Sequence, residues 1–284
     1  MNNFSKRTIA FVIFIPLVFG SLLLVPEPNH LLFCIIAIIA GLIGSVELSA
    51  FFEKRDIGYR AGILFVPIIG IVFPITTLLL VTGVISRFIM NAVITGTVAF
   101  IFALQITRRR EENFPRSLTG IAATLTLLIY PGYFLSHIIR MTTLPESSIV
   151  ITVFLISVFL NDTAAYTAGK LFGKKSKKPI PVSPNKSLVG FIMGLLFSII
   201  VIFTGAALFP EAFPGALFKS IILGTISGAA VITGDLVESA MKRSVKIKDS
   251  GYIIPGRGGI LDSIDSPIFS AVFFYYLFVL LYLF

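Results

Sequence analysis

The chain has 284 residues, 56% of them hydrophobic and only 13% charged, with 28 Phe, no Trp and a formal net charge of +9. A soluble domain needs roughly a quarter of its residues charged to cover its surface, so a soluble globular fold is excluded, and disorder and a coiled coil go with it. Apolar runs at or beyond the ~18 residues that cross a bilayer point to an all-α, polytopic integral membrane protein. The single cysteine, Cys34, lies in an apolar run and leaves no disulfide within the chain and no cysteine metal site.

Apolar runs read against polar breaks predict about nine transmembrane helices, near 8–25, 31–52, 61–82, 88–106, 118–136, 148–169, 188–208, 218–238 and 266–284. The first follows Lys6 and Arg7; it is long for a signal-peptide core and lacks a small-x-small cleavage site, so it reads as a retained span. The third contains Pro67 and Pro74, tolerated as kinks in a bundle interior. With the N-terminus in the cytoplasm, twenty Lys and Arg residues fall in inside loops and only Arg87, Arg140 and Lys219 fall outside, as the positive-inside rule requires. The expected location is the cell (inner) membrane. The positive charge is then a topology signal and implies no nucleic-acid partner. Residues 1–140 are expected to form about five N-terminal transmembrane helices. Residues 141–284 are expected to form a catalytic transmembrane domain of about four helices with two cytoplasmic motif loops, near 170–187 and 239–265.

Acidic residues carry the candidate chemistry. Glu47, late in the second span, reads as the partner of a basic neighbour near the cytoplasmic face, or as the mark of a cavity. Asp162 lies near the inner end of the sixth span, and Asp235 and Glu238 close the eighth. Spaced three apart, those two share a helix face, which is unfavourable unless a cation or a basic partner answers them. Asp262 and Asp265 repeat the arrangement just before the ninth span. Two such pairs read either as oxygen ligands for a hard divalent cation, Mg²⁺ by preference beside phosphates, or as salt bridges to Lys242, Arg243 and Lys246. Between the pairs, Pro255, Gly256, Gly258 and Gly259 forbid a spanning helix and allow backbone N–H groups to meet an anion, with Arg257 as an added donor. There is no P-loop and no His-Glu-x-x-His. The loop from Lys174 to Ser187, with five lysines, suits anionic lipid or a polyphosphate.

The run Gly234-Asp235-Leu236-Val237-Glu238-Ser239-Ala240-Met241-Lys242-Arg243, then Lys248-Asp249-Ser250-Gly251, then Pro255 to Asp265, closely resembles the signature of phosphatidate cytidylyltransferases, also called CDP-diacylglycerol synthases. Asp162-Thr163-Ala164-Ala165-Tyr166 with Gly169 and Gly173, and Ser183-Pro184-Asn185-Lys186-Ser187 with Gly190, look like two further motifs of that family in the same order. The likeness covers about residues 155–270. The sequence departs from the family's usual His at Arg257, Arg at Ser263, Lys at Asn185, Thr at Ser187 and Glu at Val189.

The resemblance implies transfer of a cytidylyl group from CTP to phosphatidic acid at the cytoplasmic membrane face, giving CDP-diacylglycerol and pyrophosphate. It implies Asp235, Asp262, Asp265 and Lys242 as catalytic residues, and Asp235, Glu238, Asp262 and Asp265 as ligands of Mg²⁺, with a second cation such as K⁺. Asp162, Lys186, Arg243, Asp249, Gly256, Arg257 and Gly258 are the implied substrate-binding residues, and a homodimer is implied as well. A cytidylyltransferase for another lipid phosphate, such as an isoprenoid ether lipid, is the nearest alternative. A transporter, the rival of another class, predicts acids near the bilayer midplane instead.

Overall fold

The computed structural model describes residues 15–26, 29–54, 65–107, 117–254 and 258–284, and among them every regular element is helical. Helix α1 is described over 15–23. It is followed by α2 (Leu31–Lys54), α3 (Phe65–Val81), α4 (Arg87–Ala103), α5 (Ser117–Leu127), α6 (Phe134–Arg140), α7 (Ser147–Phe172), α8 (Leu188–Leu208), α9 (Phe218–Ser244) and α10 (Leu261–Phe278). Six segments are long and apolar enough to cross a membrane: Leu31–Glu53, Ser117–Thr143, Ser147–Lys175, Leu188–Leu208, Phe218–Ser244 and Leu261–Leu283. Two shorter apolar helices, Ile68–Val81 and Arg87–Ala103, accompany them. The protein is thus a polytopic all-α membrane protein, with six long spans among the described residues where the sequence predicts about nine in the whole chain.

The chain divides into two compact units, one of Met1–Arg140 with Ser244–Ile264, the other of Met141–Arg243 with Asp265–Phe284. A division of the sequence at residue 140 assigns the segment Ser244–Ile264 to the C-terminal half, whereas in the fold it belongs with the N-terminal helices.

In the first unit, α5 and α6 are joined by a π-helical stretch, Leu128–Tyr133, that contains Pro131. Proline has no N–H to give to the helical ladder, and the wider turn absorbs the gap without ending the span. There the backbones come close: a Cβ on Gly132 would lie 2.9 Å from the Gly70 carbonyl oxygen, and one on Gly70 would strike Ser45 Oγ. Pro74 is carried inside α3, which stays α-helical through it.

The second unit is assembled by the same device. A Cβ on Gly190, Gly194 or Gly205 of α8 would meet Ala165, Asn161 or Val153 of α7 at 2.7–2.8 Å, in descending register, so these two helices pack antiparallel with their backbones close. Small residues at such crossings take the role in lipid that apolar burial has in water, since lipid gives no hydrophobic reward for helix association. A buried amide joins three helices here: Asn161 Nδ2 of α7 donates to Ser198 Oγ of α8 at 2.8 Å and to the Gly228 carbonyl of α9 at 3.3 Å. Phe154, also of α7, packs against Phe274 of α10, ring centroids 4.9 Å apart.

Among the helix ends that differ from the sequence reading, three bear on the motif residues. Helix α7 continues to Phe172 and α9 to Ser244, while α10 starts at Leu261. Lysine and arginine at a helix C-terminus complement its dipole, so Lys242 and Arg243 extend α9 where charge counting ends the span at 238. Asp262 and Asp265 consequently lie inside the first two turns of α10 rather than before it.

At Gly224 of α9 a Cβ would sit 2.8 Å from the Cα of Ile199 on α8, whereas at Gly96 of α4 it would meet nothing within 4 Å. Gly224→Ala should therefore destabilise the detergent-solubilised protein by about 1–3 kcal/mol. Gly96→Ala should stabilise it by about 0.5–1 kcal/mol through helix propensity alone. Thermal denaturation of the two variants checks the contrast.

Candidate active site

In the second unit, Lys186 is held by the start of α8. Ser187 caps that helix, accepting from Gly190 N at 3.2 Å, and Gly173 leaves room for the cap, since a Cβ there would lie 3.1 Å from Ser187 Oγ. Two further bonds hold the approach to the cap: Leu188 N donates to the Lys177 carbonyl at 2.9 Å, and Val189 N donates to Ser176 Oγ at 3.1 Å. So fixed, Lys186 reaches α9 and ion-pairs with Asp235. One turn further on, Glu238 pairs with Lys242 on its own helix. Glu238 is fully buried, and the Lys242 side chain is only 12% exposed.

Each carboxylate of the first predicted pair is therefore answered by a separate ammonium group, which meets the condition that like charges three apart on a helix impose. Gly234, just before Asp235, lets α10 approach: a Cβ there would lie 3.1 Å from the Asp265 carbonyl oxygen and 2.7 Å from Phe269 Cβ. Asp265 is itself buried, with Oδ1 accepting from Ser266 N at 2.7 Å. Burial pushes the Lys186 ammonium below the usual lysine range. The charges of Asp162 and Asp265 draw it back up, Lys242 lowers it again and Glu238 raises it. One unit thus gathers Asp162, Lys186, Asp235, Glu238, Lys242 and Asp265 around a partly dehydrated cation. Arg243 lies exposed in the last turn of α9.

The first unit organises the motif segment differently. Asp262 Oδ2 accepts from Ser250 N at 2.9 Å, Ser250 Oγ at 2.9 Å and Gly259 N at 2.7 Å. Gly258, at φ +124°, closes a small bridge with Ile254: it donates its N–H to Ile254 O at 3.1 Å and accepts from Ile254 N at 2.8 Å. A Cβ on it would strike Asp262 Oδ2, so both its conformation and its contact call for glycine. Asp249 is exposed beside it. The predicted Gly256 and Arg257 lie outside the described residues.

Glu47 and Ser250 are singled out by the sequence but are not among the site residues assigned from it. Glu47 of α2 is 7% exposed. It accepts from Ile260 N at 3.0 Å, Leu261 N at 2.8 Å and Ser250 Oγ at 2.9 Å. Among the described residues of this run, Gly259 N meets the carboxylate of Asp262 and the next two amides meet that of Glu47. An acid in an apolar helix was the available signal, but the donors that answer it are some two hundred residues away in the chain.

A model described as the Cytidylyltransferase family matches residues 5–281. The chain belongs to this family. It is 35% identical over 149 residues to the phosphatidate cytidylyltransferase of Aquifex aeolicus, a match covering 52% of this chain and 54% of that one. It is 42% identical over 119 residues to that of Helicobacter pylori, covering 42% of each chain. With that of Bacillus subtilis it shares 35% identity over 155 residues, 54% of this chain and 56% of the other. The chain spans about half the length of the curated relatives it matches.

Removing one partner of a buried ion pair leaves the other charge without compensation, at a cost of about 3 kcal/mol or more. Lys242→Met should accordingly lower stability by about that amount. Adding Glu238→Gln should restore most of it, because the dehydrated carboxylate is then gone. Chemical denaturation of the single and double variants in detergent measures the coupling.

Proposed function

We propose that this chain is a phosphatidate cytidylyltransferase, joining CTP and phosphatidic acid to give CDP-diacylglycerol and pyrophosphate at the cytoplasmic face of the cell membrane. The observation that carries the reading is the Lys186–Asp235 pair, set beside Glu238–Lys242 and the buried Asp265 at one end of apolar helices. Membership of the Cytidylyltransferase family and the named relatives support it.

In the reaction an anionic oxygen of the lipid phosphate forms a bond to the α-phosphorus of CTP, and the bond from that phosphorus to the bridging oxygen breaks, with pyrophosphate leaving. Nucleophile and electrophile are both negatively charged, so the protein's task is neutralisation and alignment more than proton abstraction. Lys186 and Lys242 supply mobile positive charge for these phosphates, and Asp235 and Glu238 hold the two ammonium groups in place until substrate competes for them. Burial of Lys186 strengthens its attraction for phosphate, because less water screens it.

Among the described residues no three His, Cys, Asp or Glu side chains form a ready metal cluster. The donor chemistry nevertheless suits Mg²⁺, which takes oxygen ligands, typically one or two carboxylates, and leaves the rest of its shell to phosphates and water. Four carboxylates gathered around two ammonium groups leave the acid surplus such an ion would balance. Asp235 and Asp265 are the residues that would hold it. Bound there, Mg²⁺ would supply charge neutralisation for the triphosphate and the departing pyrophosphate.

Purified protein in mixed micelles should release pyrophosphate only when CTP, phosphatidic acid and Mg²⁺ are all present, with K⁺ tested as an addition and CDP-diacylglycerol as the lipid product. Asp235→Asn should reduce turnover by at least about 100-fold without loss of fold. Release with an isoprenoid ether lipid phosphate but not with phosphatidic acid would reassign the substrate. No release from folded protein with any lipid phosphate would overturn the reading.

A further inference from the structure

We propose that Glu47 is a positioning residue, holding from the N-terminal half of the chain the motif residues Ser250, Ile260 and Leu261. The proposal rests on the reading of those residues as part of the cytidylyltransferase machinery. Glu47 is a carboxylate in an apolar helix, 7% exposed, where an ionised group is costly unless hydrogen-bonded. Its bonds are supplied by one segment: Oε1 accepts from Ile260 N at 3.0 Å, and Oε2 accepts from Leu261 N at 2.8 Å and lies 2.9 Å from Ser250 Oγ.

Ile260 and Leu261 stand at the N-terminus of α10, where backbone N–H groups have no partner in their own helix and the dipole favours negative charge. Glu47 therefore caps α10 from a different helix. The same carboxylate holds the other end of the segment through Ser250, whose hydroxyl is 2.9 Å from both Glu47 Oε2 and Asp262 Oδ2. That hydroxyl has one proton, so it serves one acid fully at a time and couples the two. A change at Glu47 is thus transmitted to Asp262, a residue implicated by the family signature, without Glu47 touching substrate.

Two glycines of the motif corroborate this. A Cβ on Gly251 would lie 2.5 Å from Glu47 Oε1, and one on Gly259 would strike the same carboxylate. The two glycines leave the space that the Glu47 carboxylate occupies.

The test is amide hydrogen exchange of the protein in detergent, read at Ser250, Ile260 and Leu261 with α8 as internal reference, together with steady-state kinetics. In Glu47→Ala, exchange at Ile260 and Leu261 should accelerate at least about tenfold while α8 is unchanged, and kcat should fall at least about tenfold with KM for CTP little altered. Glu47→Gln keeps the side chain's shape and one acceptor and should fall between; it also serves if the alanine variant does not fold. Unchanged exchange at those amides, or an equal loss of protection in α8, would overturn the proposal, the latter by making Glu47 a general support of the fold. If the unaltered protein turns over neither CTP nor phosphatidic acid, the activity reading fails, and the exchange comparison still decides whether Glu47 holds these residues.

Discussion

Charged and polar groups placed among apolar helices must be answered from within the protein, because lipid offers neither hydrogen bonds nor counterions. Glu238, Asn161 and Glu47 each sit under this constraint and meet it differently: the first through an ammonium one turn away, the second through a hydroxyl and a carbonyl on two other helices, the third through backbone amides. In every case the answer fixes a geometry that the apolar residues around it could not. Hydrocarbon packing tolerates sliding and rotation of helices, while a dehydrated carboxylate tolerates neither.

Glycine has two distinct uses in this molecule. At Gly190, Gly194, Gly205 and Gly224 its smallness lets helix backbones cross closely, as association in lipid favours. At Gly251, Gly258 and Gly259 it makes room for the carboxylates of Glu47 and Asp262. The second use carries the chemical meaning. A glycine-rich run can present N–H groups to an anion, and here Gly259, Ile260 and Leu261 present theirs to acids of the same chain. The described donors of the segment are thus answered by acids of the same chain, while Lys186 and Lys242, in the second unit, pair with Asp235 and Glu238.

Much of this was legible in the sequence. Hydropathy revealed the helical membrane class, and the spacing of Asp235 and Glu238 demanded basic or metallic partners, which Lys186 and Lys242 supply. The acids of the family-like motifs fall in or beside the clusters described. Helix ends were less legible, because Lys242 and Arg243 look like loop residues by charge but stabilise a helix C-terminus through its dipole. The pairing of Asp262 with Asp265 was legible only as spacing: the former is turned to Ser250 and Gly259, and the latter is buried with its carboxylate on Ser266 N.

The sequence alone determined the membrane-embedded helical class, the identity of the acids and lysines available for chemistry, and the likeness to cytidylyltransferases, because length, hydropathy and ordered motifs are properties of the chain itself. Tertiary structure decided which charge answers which. Asp235 meets Lys186 across 49 positions, and Glu47 meets Ile260 across 213. Such partnerships leave no periodic trace in the sequence. They are selected by the cost of an unanswered charge in a low-dielectric interior, and the partners that meet that cost come within reach only once the helices have packed.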